Sequence, residues 1–235
     1  MAIGESTCLV CGEPLVYFED ARELECIRCG ARERAHSVCE QGHYVCDTCH
    51  RTEGVERVMA LCVASKLKDP FALANELMRD PAIYPNGPEH HTLVGAALLT
   101  AYVNAGGALD LPRALEELRE RSMNVPGGAC GLWGTCGAAV SAGMYLSIVT
   151  GATPMTDESW GQVHRLTARI LSRLADIGGP RCCKRGTFVA FEEAVPLTAE
   201  LTGIQMDLSD HLTCAFVSRN KECISRRCPY LPRKR

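Results

Sequence analysis

The chain has 235 residues, with Lys+Arg 25 against Asp+Glu 28 and a formal net charge of −3. Hydrophobic content of 46% and charged content of 23% are ordinary globular values, which excludes a disordered or collagen-like chain, and the near balance of charge excludes a strong polyanion binder. No window holds the ~18–20 uninterrupted apolar residues of a membrane span, and the start MAIGESTCLVCG lacks the basic-then-apolar pattern of an export signal, so a cytoplasmic protein is expected.

Fifteen cysteines set this chain apart. Without export, disulfides are disfavoured and that many thiols point to metal or redox chemistry. Seven of them fall in the first 50 residues and seven between Cys130 and Cys228, with Cys62 alone between the groups. This partition predicts a small metal-binding head over 1–52 and a cysteine-rich domain over 53–235.

The head comes first in the chain. It is too short for a real core, and the run Leu15 to Phe18 with the alternation around Leu24 and Cys26 suits short hairpin strands. Cys8-Leu-Val-Cys11 and Cys26-Ile-Arg-Cys29 are two C-x2-C pairs, 14 residues apart. That is zinc-ribbon spacing, in which four thiolates surround Zn²⁺ tetrahedrally. Gly12 and Gly30 follow each pair, where a tight knuckle needs a residue that tolerates positive φ.

The strip CEQGHYVCDTC supplies a second set, Cys39, His43, Cys46 and Cys49, and resembles the centre of RING-type cross-brace domains. Sequential pairing is favoured here: Cys8, Cys11, Cys26 and Cys29 for one zinc, and Cys39, His43, Cys46 and Cys49 for the other. A cross-brace would interleave the pairs. A ubiquitin-ligase reading is disfavoured because the closing ligand pair of a true RING is not evident. With no lysine and a net −5 over residues 1–50, the head is a poor phosphate binder; its zinc would contribute folding energy to a segment that buries little surface.

From residue 55 the pattern turns helical. Val55 to Lys68 has apolar residues at helical spacing, and Pro70 opens PFALANELMRD. PNGPEHH reads as a loop, with Thr92 as N-cap of LVGAALLTAYVNAGG, stopped by Gly106 and Gly107. His91 in that loop is a candidate acid/base or ligand. LPRALEELRERS is amphipathic, and NVPGGACG is a loop carrying Cys130.

GLWGTCGAAVSAGMYLSIVTGA, with Cys136, suits a buried helix of small residues. Thr156, Ser159 and Trp160 begin a long amphipathic helix to about Ile177. Then Cys182 and Cys183, in GGPRCCKR, stand at a helix N-terminus beside Arg181, Lys184 and Arg185, features that favour the thiolate. No period-2 run longer than four residues follows residue 55, so the second domain is expected to be all-α and the fold mainly α.

The tail is the last informative strip. Cys214-x8-Cys223-x4-Cys228-Pro229 resembles iron–sulfur ligand runs, where proline often follows the last ligand. Residues 213–235 carry a net +6, which offers a partner or phosphate contact, although nucleic acid is not the expected partner. Cys130, Cys136, Cys182, Cys183, Cys214, Cys223 and Cys228 form the pool from which a [4Fe–4S] cluster would draw its ligands. Cys130, Cys182, Cys183 and His91 are the candidates for direct chemistry, and Cys62 and Cys136 carry a competing reading as core.

GGACGLWGTCGAAVSAG, GGPRCCKR and the terminal NKEC…CPY resemble together an uncharacterised cysteine-rich family, domain of unknown function 5714. The resemblance covers most of the chain and brings no established activity. It implies anaerobic metal–thiolate biochemistry, with a methyltransferase- or radical-type partner enzyme or a small sulfur-containing substrate. GTCGAAVSAG is also similar to a short strip of a C-GCAxxG-C-C redox-active family, which would make Cys136 a redox or ligand cysteine.

The expected function is thus an iron–sulfur protein with a redox or sulfur-handling role. Three thiolates would leave an iron open as a Lewis acid for desulfuration or sulfur transfer, while four would favour electron transfer. A zinc-only adaptor that binds a partner or nucleic acid, and a thiol-redox protein, are the alternatives.

Overall fold

The computed structural model describes residue 8 and residues 10–232, apart from the side chain of Asp47. Arg233, Lys234 and Arg235, the end of the basic tail, lie outside the described residues. The chain divides into two compact units, one up to Gly54 and one from Val55 on.

In the first unit β1 (Leu15–Glu25) pairs antiparallel with β2 (Arg32–Cys39). The pairing runs from Leu15 opposite Cys39 to Glu25 opposite Arg32, with a register irregularity between Tyr17 and Arg22. Charge alternates across the far end: Arg32 meets Glu25 at 3.1 Å and Glu23 at 3.9 Å. Such exposed pairs contribute only about 0–1 kcal/mol each. Val16 and Tyr17 stay exposed, so the two-stranded sheet buries too little to stand alone.

Helix α1 (Asp47–Ala64) contains the division point. It begins well before Val55, because the second half of the C-x2-C pair at Cys46 and Cys49 is already its first turn. The remaining helices are α2 (Pro70–Leu77), α3 (His90–Asn104), α4 (Leu111–Ser122), the single turn α5 (Ala129–Leu132), α6 (Gly137–Thr150), α7 (Glu158–Ile177) and α8 (Cys183–Thr202). Two short 3₁₀ turns, Val217–Arg219 and Ser225–Arg227, shape the tail. Among the described residues the second unit has no strand, and the fold is mainly α.

α3 and α6 are rich in small and apolar residues and are buried on nearly all sides. Gly95 on α3 lets Leu118 of α4 and the Ser141 carbonyl of α6 come close: a Cβ there would sit 2.7 Å from the Leu118 methyl and 3.0 Å from that oxygen. α7 is amphipathic, with Leu166 and Ile170 facing the core. Cys62 is fully buried within the same core, where burial pushes its thiol up to about 12.

Two helix starts differ from the sequence expectation. α3 begins at His90 rather than after Thr92; Thr92 instead shares a 2.6 Å hydrogen bond with Ser122 inside the core. The backbone turn of Gly87 and Pro88, whose carbonyls accept from His90 and His91, leads straight into the helix. The stretch around Cys130, expected as loop, contains the turn α5.

Candidate metal centres

The head carries two quartets. Cys8, Cys11, Cys39 and His43 have ligand atoms within 4.8 Å of one another, and so do Cys26, Cys29, Cys46 and Cys49. The first and third ligand pairs in the chain therefore share one site, and the second and fourth share the other. This corrects the sequential pairing: the wiring is interleaved, and no ligand pair is missing. The reason is the hairpin. Pairing of Leu15 with Cys39 brings the start of β1, just after the first knuckle, to the end of β2, where the third begins. At the other end of the ladder, Glu25 opposite Arg32 leaves the Cys26 knuckle free to meet the start of α1.

Ligand spacing within each quartet is that of a single tetrahedral ion. Cys11 and Cys39 sulfurs are 3.8 Å apart, Cys29 and Cys46 sulfurs 3.6 Å, and His43 Nδ1 lies 3.3 Å from the Cys11 sulfur. A metal–sulfur distance of about 2.3 Å sets such ligands roughly 3.8 Å apart. Each knuckle offers amides to sulfur: Val10 N–H to Cys8 at 3.3 Å, Cys46 N–H to Cys26 at 3.3 Å, and Cys49 N–H to Cys46 at 3.4 Å.

These donors matter for charge. Burial opposes ionisation of Cys26, yet amides from Cys46, Cys29 and Arg28 outweigh it and bring the thiol down to about 6. Cys8 falls to about 7 on the same balance. In the Cys26 quartet the charge then crowds: Cys29 first, then burial and Cys46, push Cys49 up to about 12. Four thiolates cannot coexist at such range without a cation. Both quartets fit a metal ion such as zinc.

The second unit contains a cavity lined by Cys182, Cys214, Cys223 and Cys228. Cys182 is the N-cap of α8; the other three come from the tail, which folds back over α8. Tyr230 anchors it there. Cys214 N–H donates to the Tyr230 carbonyl at 2.8 Å, and the Tyr230 ring packs edge-on to Phe188 at 5.3 Å. Tyr230 Oη donates to Glu192 at 2.7 Å, and Arg173 bridges Glu192 and Glu193 at 2.6 and 2.9 Å.

Every sulfur of this set accepts a backbone amide. Arg185 N–H reaches Cys182 at 3.5 Å, Phe216 N–H reaches Cys214 at 3.4 Å, and Ser225 N–H reaches Cys223 at 3.4 Å. Tyr230 N–H serves Cys228 in the same way. Among the described residues only the two head quartets bring three or more candidate ligands within 4.8 Å. The four cavity sulfurs are therefore spread wider than one tetrahedral ion would draw them.

Two buried cations line the same cavity. Lys184, only 3% exposed, donates through Nζ to the Pro85 carbonyl, and Arg185, 5% exposed, reaches the Gly178 and Pro180 carbonyls. Among the described residues neither has a carboxylate within ion-pair distance, and Arg185 Nε is buried without a hydrogen-bond partner. Burial pulls the Lys184 ammonium down while Cys182, Cys183 and Cys214 pull it back up. Burial pushes Cys214 and Cys228 up, and Cys182 adds to both shifts.

The other candidates of the sequence lie elsewhere. Cys183, the first residue of α8, turns its sulfur to the Gly87 carbonyl at 3.9 Å, and burial pushes it up to about 12. Cys136 caps α6, its sulfur against the Cα of Gly186, where a Cβ would come within 3.2 Å. Cys130 is exposed on α5. His91 Nδ1–H donates to the Val125 carbonyl at 3.1 Å, and its ring lies on Gly137. None of these four lines the cavity: of the seven cysteines expected to supply cluster ligands, Cys182, Cys214, Cys223 and Cys228 line it, and Cys130, Cys136 and Cys183 do not. Asn86 and Asn220, which link the loop before α3 to the Cys182 sulfur, are marked by no local motif and were not expected at the site.

Among the described residues no helix is long and apolar enough to cross a membrane. A family model described as a family of unknown function, DUF5714, matches residues 58–231. No curated protein and no solved structure matches the chain.

Proposed function

The chain belongs to the DUF5714 family, which has no assigned activity, and from its site we propose that it is a cytoplasmic iron–sulfur protein of anaerobic metabolism that carries electrons through a [4Fe–4S] cluster held by Cys182, Cys214, Cys223 and Cys228. One observation carries this reading: four amide-bonded cysteine sulfurs surround one cavity at a spacing too wide for a single ion. A cubane spreads its thiolates over four irons, so its ligands stand farther apart than those of one ion, and it is held by sets of four cysteines.

Charge supports the same reading. A thiolate-held cluster is a buried anion, and Lys184 with Arg185 are buried cations whose hydrogen bonds go to carbonyl oxygens. Buried charges are stable when paired. Four thiolates saturate the irons, which favours one-electron transfer over the Lewis-acid sulfur chemistry that an open iron would offer. In the head, the two quartets would hold zinc as a structural element.

Anaerobic purification followed by iron, sulfide and zinc analysis tests this reading. About four irons and two zincs per chain with broad thiolate-to-iron absorbance is the expected result. Cys223→Ser should deplete iron and spare zinc. Protein that carries zinc alone, in the cavity as well as the head, would replace this reading with that of a zinc-only adaptor.

A further inference from the structure

Of the four cavity sulfurs, Cys182 alone among the described residues has a side-chain donor as well as a backbone one. Asn220 Nδ2 donates to it at 3.5 Å. Asparagine oxygen and nitrogen are told apart only by their partners, and here the partners leave one choice. Asn220 Oδ1 accepts the Glu222 N–H at 3.1 Å, so the NH₂ end must face the sulfur.

That orientation is held from a distant part of the chain. Asn86, in the loop before α3, accepts the Cys183 N–H through Oδ1 at 3.1 Å. Its Nδ2 then points at Glu222 Oε2 at 2.9 Å and at Asn220 Oδ1 at 3.4 Å. Arg181 closes the group with an ion pair to Glu222 at 3.5 Å. The amides form a directed chain: the α8 backbone to Asn86, Asn86 to Asn220, Asn220 to the Cys182 sulfur. Asn220 is itself buried, at 7% exposure, in a region where hydrogen bonds are less weakened by water.

We infer that Asn220 is a positioning residue that sets the reduction potential of the centre at Cys182, and that Asn86 fixes its orientation. The inference rests on the cluster assignment above. A hydrogen bond to a ligand sulfur withdraws negative charge and stabilises the more reduced, more negative cluster, and such bonds are among the levers that set cluster potential. The Asn86–Asn220 pair would thus hold this centre at a higher potential than its ligands alone would give. Electron stoichiometry is unaffected; one electron still enters and leaves the cluster, supplied by an external low-potential donor.

Protein-film voltammetry or a redox titration followed by electron paramagnetic resonance, on the full chain with its cluster, tests this. Asn220→Ala with full iron content should show a more negative potential, Asn220→Asp a still more negative one, and Asn86→Ala a smaller shift in the same direction. Unchanged potential in an iron-replete Asn220→Ala variant overturns the inference and leaves the cluster intact. If Asn220→Ala loses its iron, Asn86→Ala decides, since it touches no sulfur: a negative shift supports the inference and no shift overturns it. Wild-type protein without iron is a different failure, that of the cluster assignment itself.

Discussion

The head and the helical unit both gather cysteine sulfur, but they do so under opposite conditions. In the head, short C-x2-C knuckles bring ligand atoms within 4.8 Å on a scaffold with almost no apolar core and an excess of acid. In the helical unit, Cys182, Cys214, Cys223 and Cys228 come from two distant stretches, stand wider apart, and sit beside buried Lys184 and Arg185. The head has little apolar core and two quartets of thiol-rich ligands that fit a metal ion. The helical unit has a core to fold on and two buried cations whose hydrogen bonds go to carbonyl oxygens. Close spacing of four thiol ligands suits a divalent ion; wider spacing beside buried positive charge suits an anionic cluster.

The largest test of this contrast is the wiring of the head. Changing Cys8 and Cys39 together to Ser should remove one metal ion and leave the second quartet filled. Changing Cys8 and Cys26 together should empty both and unfold the hairpin, since structural metal supplies the folding energy of such segments. Zinc per chain by mass spectrometry and amide protection of residues 15–39 read out both. Equal zinc loss in the two double variants would break the interleaved assignment.

Acid should separate the units next. Cys26 and Cys8 are held at about 6 and about 7 against an ordinary 9.0. A lowered folded value means that their contribution is present above pH ~9 and is lost as pH falls through those values. Zinc release from the head is therefore expected on acidification, as protons compete with the ion for the thiolates. Circular dichroism should show the helical unit still folded where a zinc-responsive dye reports release.

Two changes sharpen the other side. Gly95→Ala forces a methyl against Leu118 and the Ser141 carbonyl and should cost the helical unit about 1–3 kcal/mol of stability, less up to ~1 kcal/mol regained from helix propensity. Thermal unfolding read at the helical signal checks this, with zinc content unchanged. Tyr145→Phe should do less. It removes the 2.9 Å hydrogen bond to Thr198, for about 0.5–1.5 kcal/mol, while Thr198 keeps its bond to the Ala194 carbonyl at 2.7 Å.

Legibility in the sequence followed the range of each interaction. Knuckle pairs such as Cys8 with Cys11 are local geometry, and their spacing alone reveals them. Their interleaving was not legible, because both wirings use the same four knuckles and only the hairpin register chooses between them. Cys182 and Cys183 are neighbours with the same flanking charges. Helix phase separates them: the N-cap sulfur turns into the cavity, and the next one turns to the Gly87 carbonyl. Cys130, Cys136 and His91 looked equal to the tail cysteines by residue type, yet packing of α6 against α8 at Gly186 and of His91 on Gly137 carries them to other surroundings.

What the sequence determined by itself is the two-part plan and the chemical vocabulary: a metal-binding head read from paired cysteines, and a helical unit read from periods of apolar residues and from the glycines and prolines that end them. Those signals lie within a few residues of one another, where chain stiffness alone dictates geometry. The tertiary structure decided which head sulfurs form each quartet, which tail sulfurs line one cavity with Cys182, and that two cations and a pair of asparagine amides stand beside them. Such choices depend on contacts between residues far apart in the chain, as between Asn86 and Asn220, and there it is packing of the core that brings the groups together.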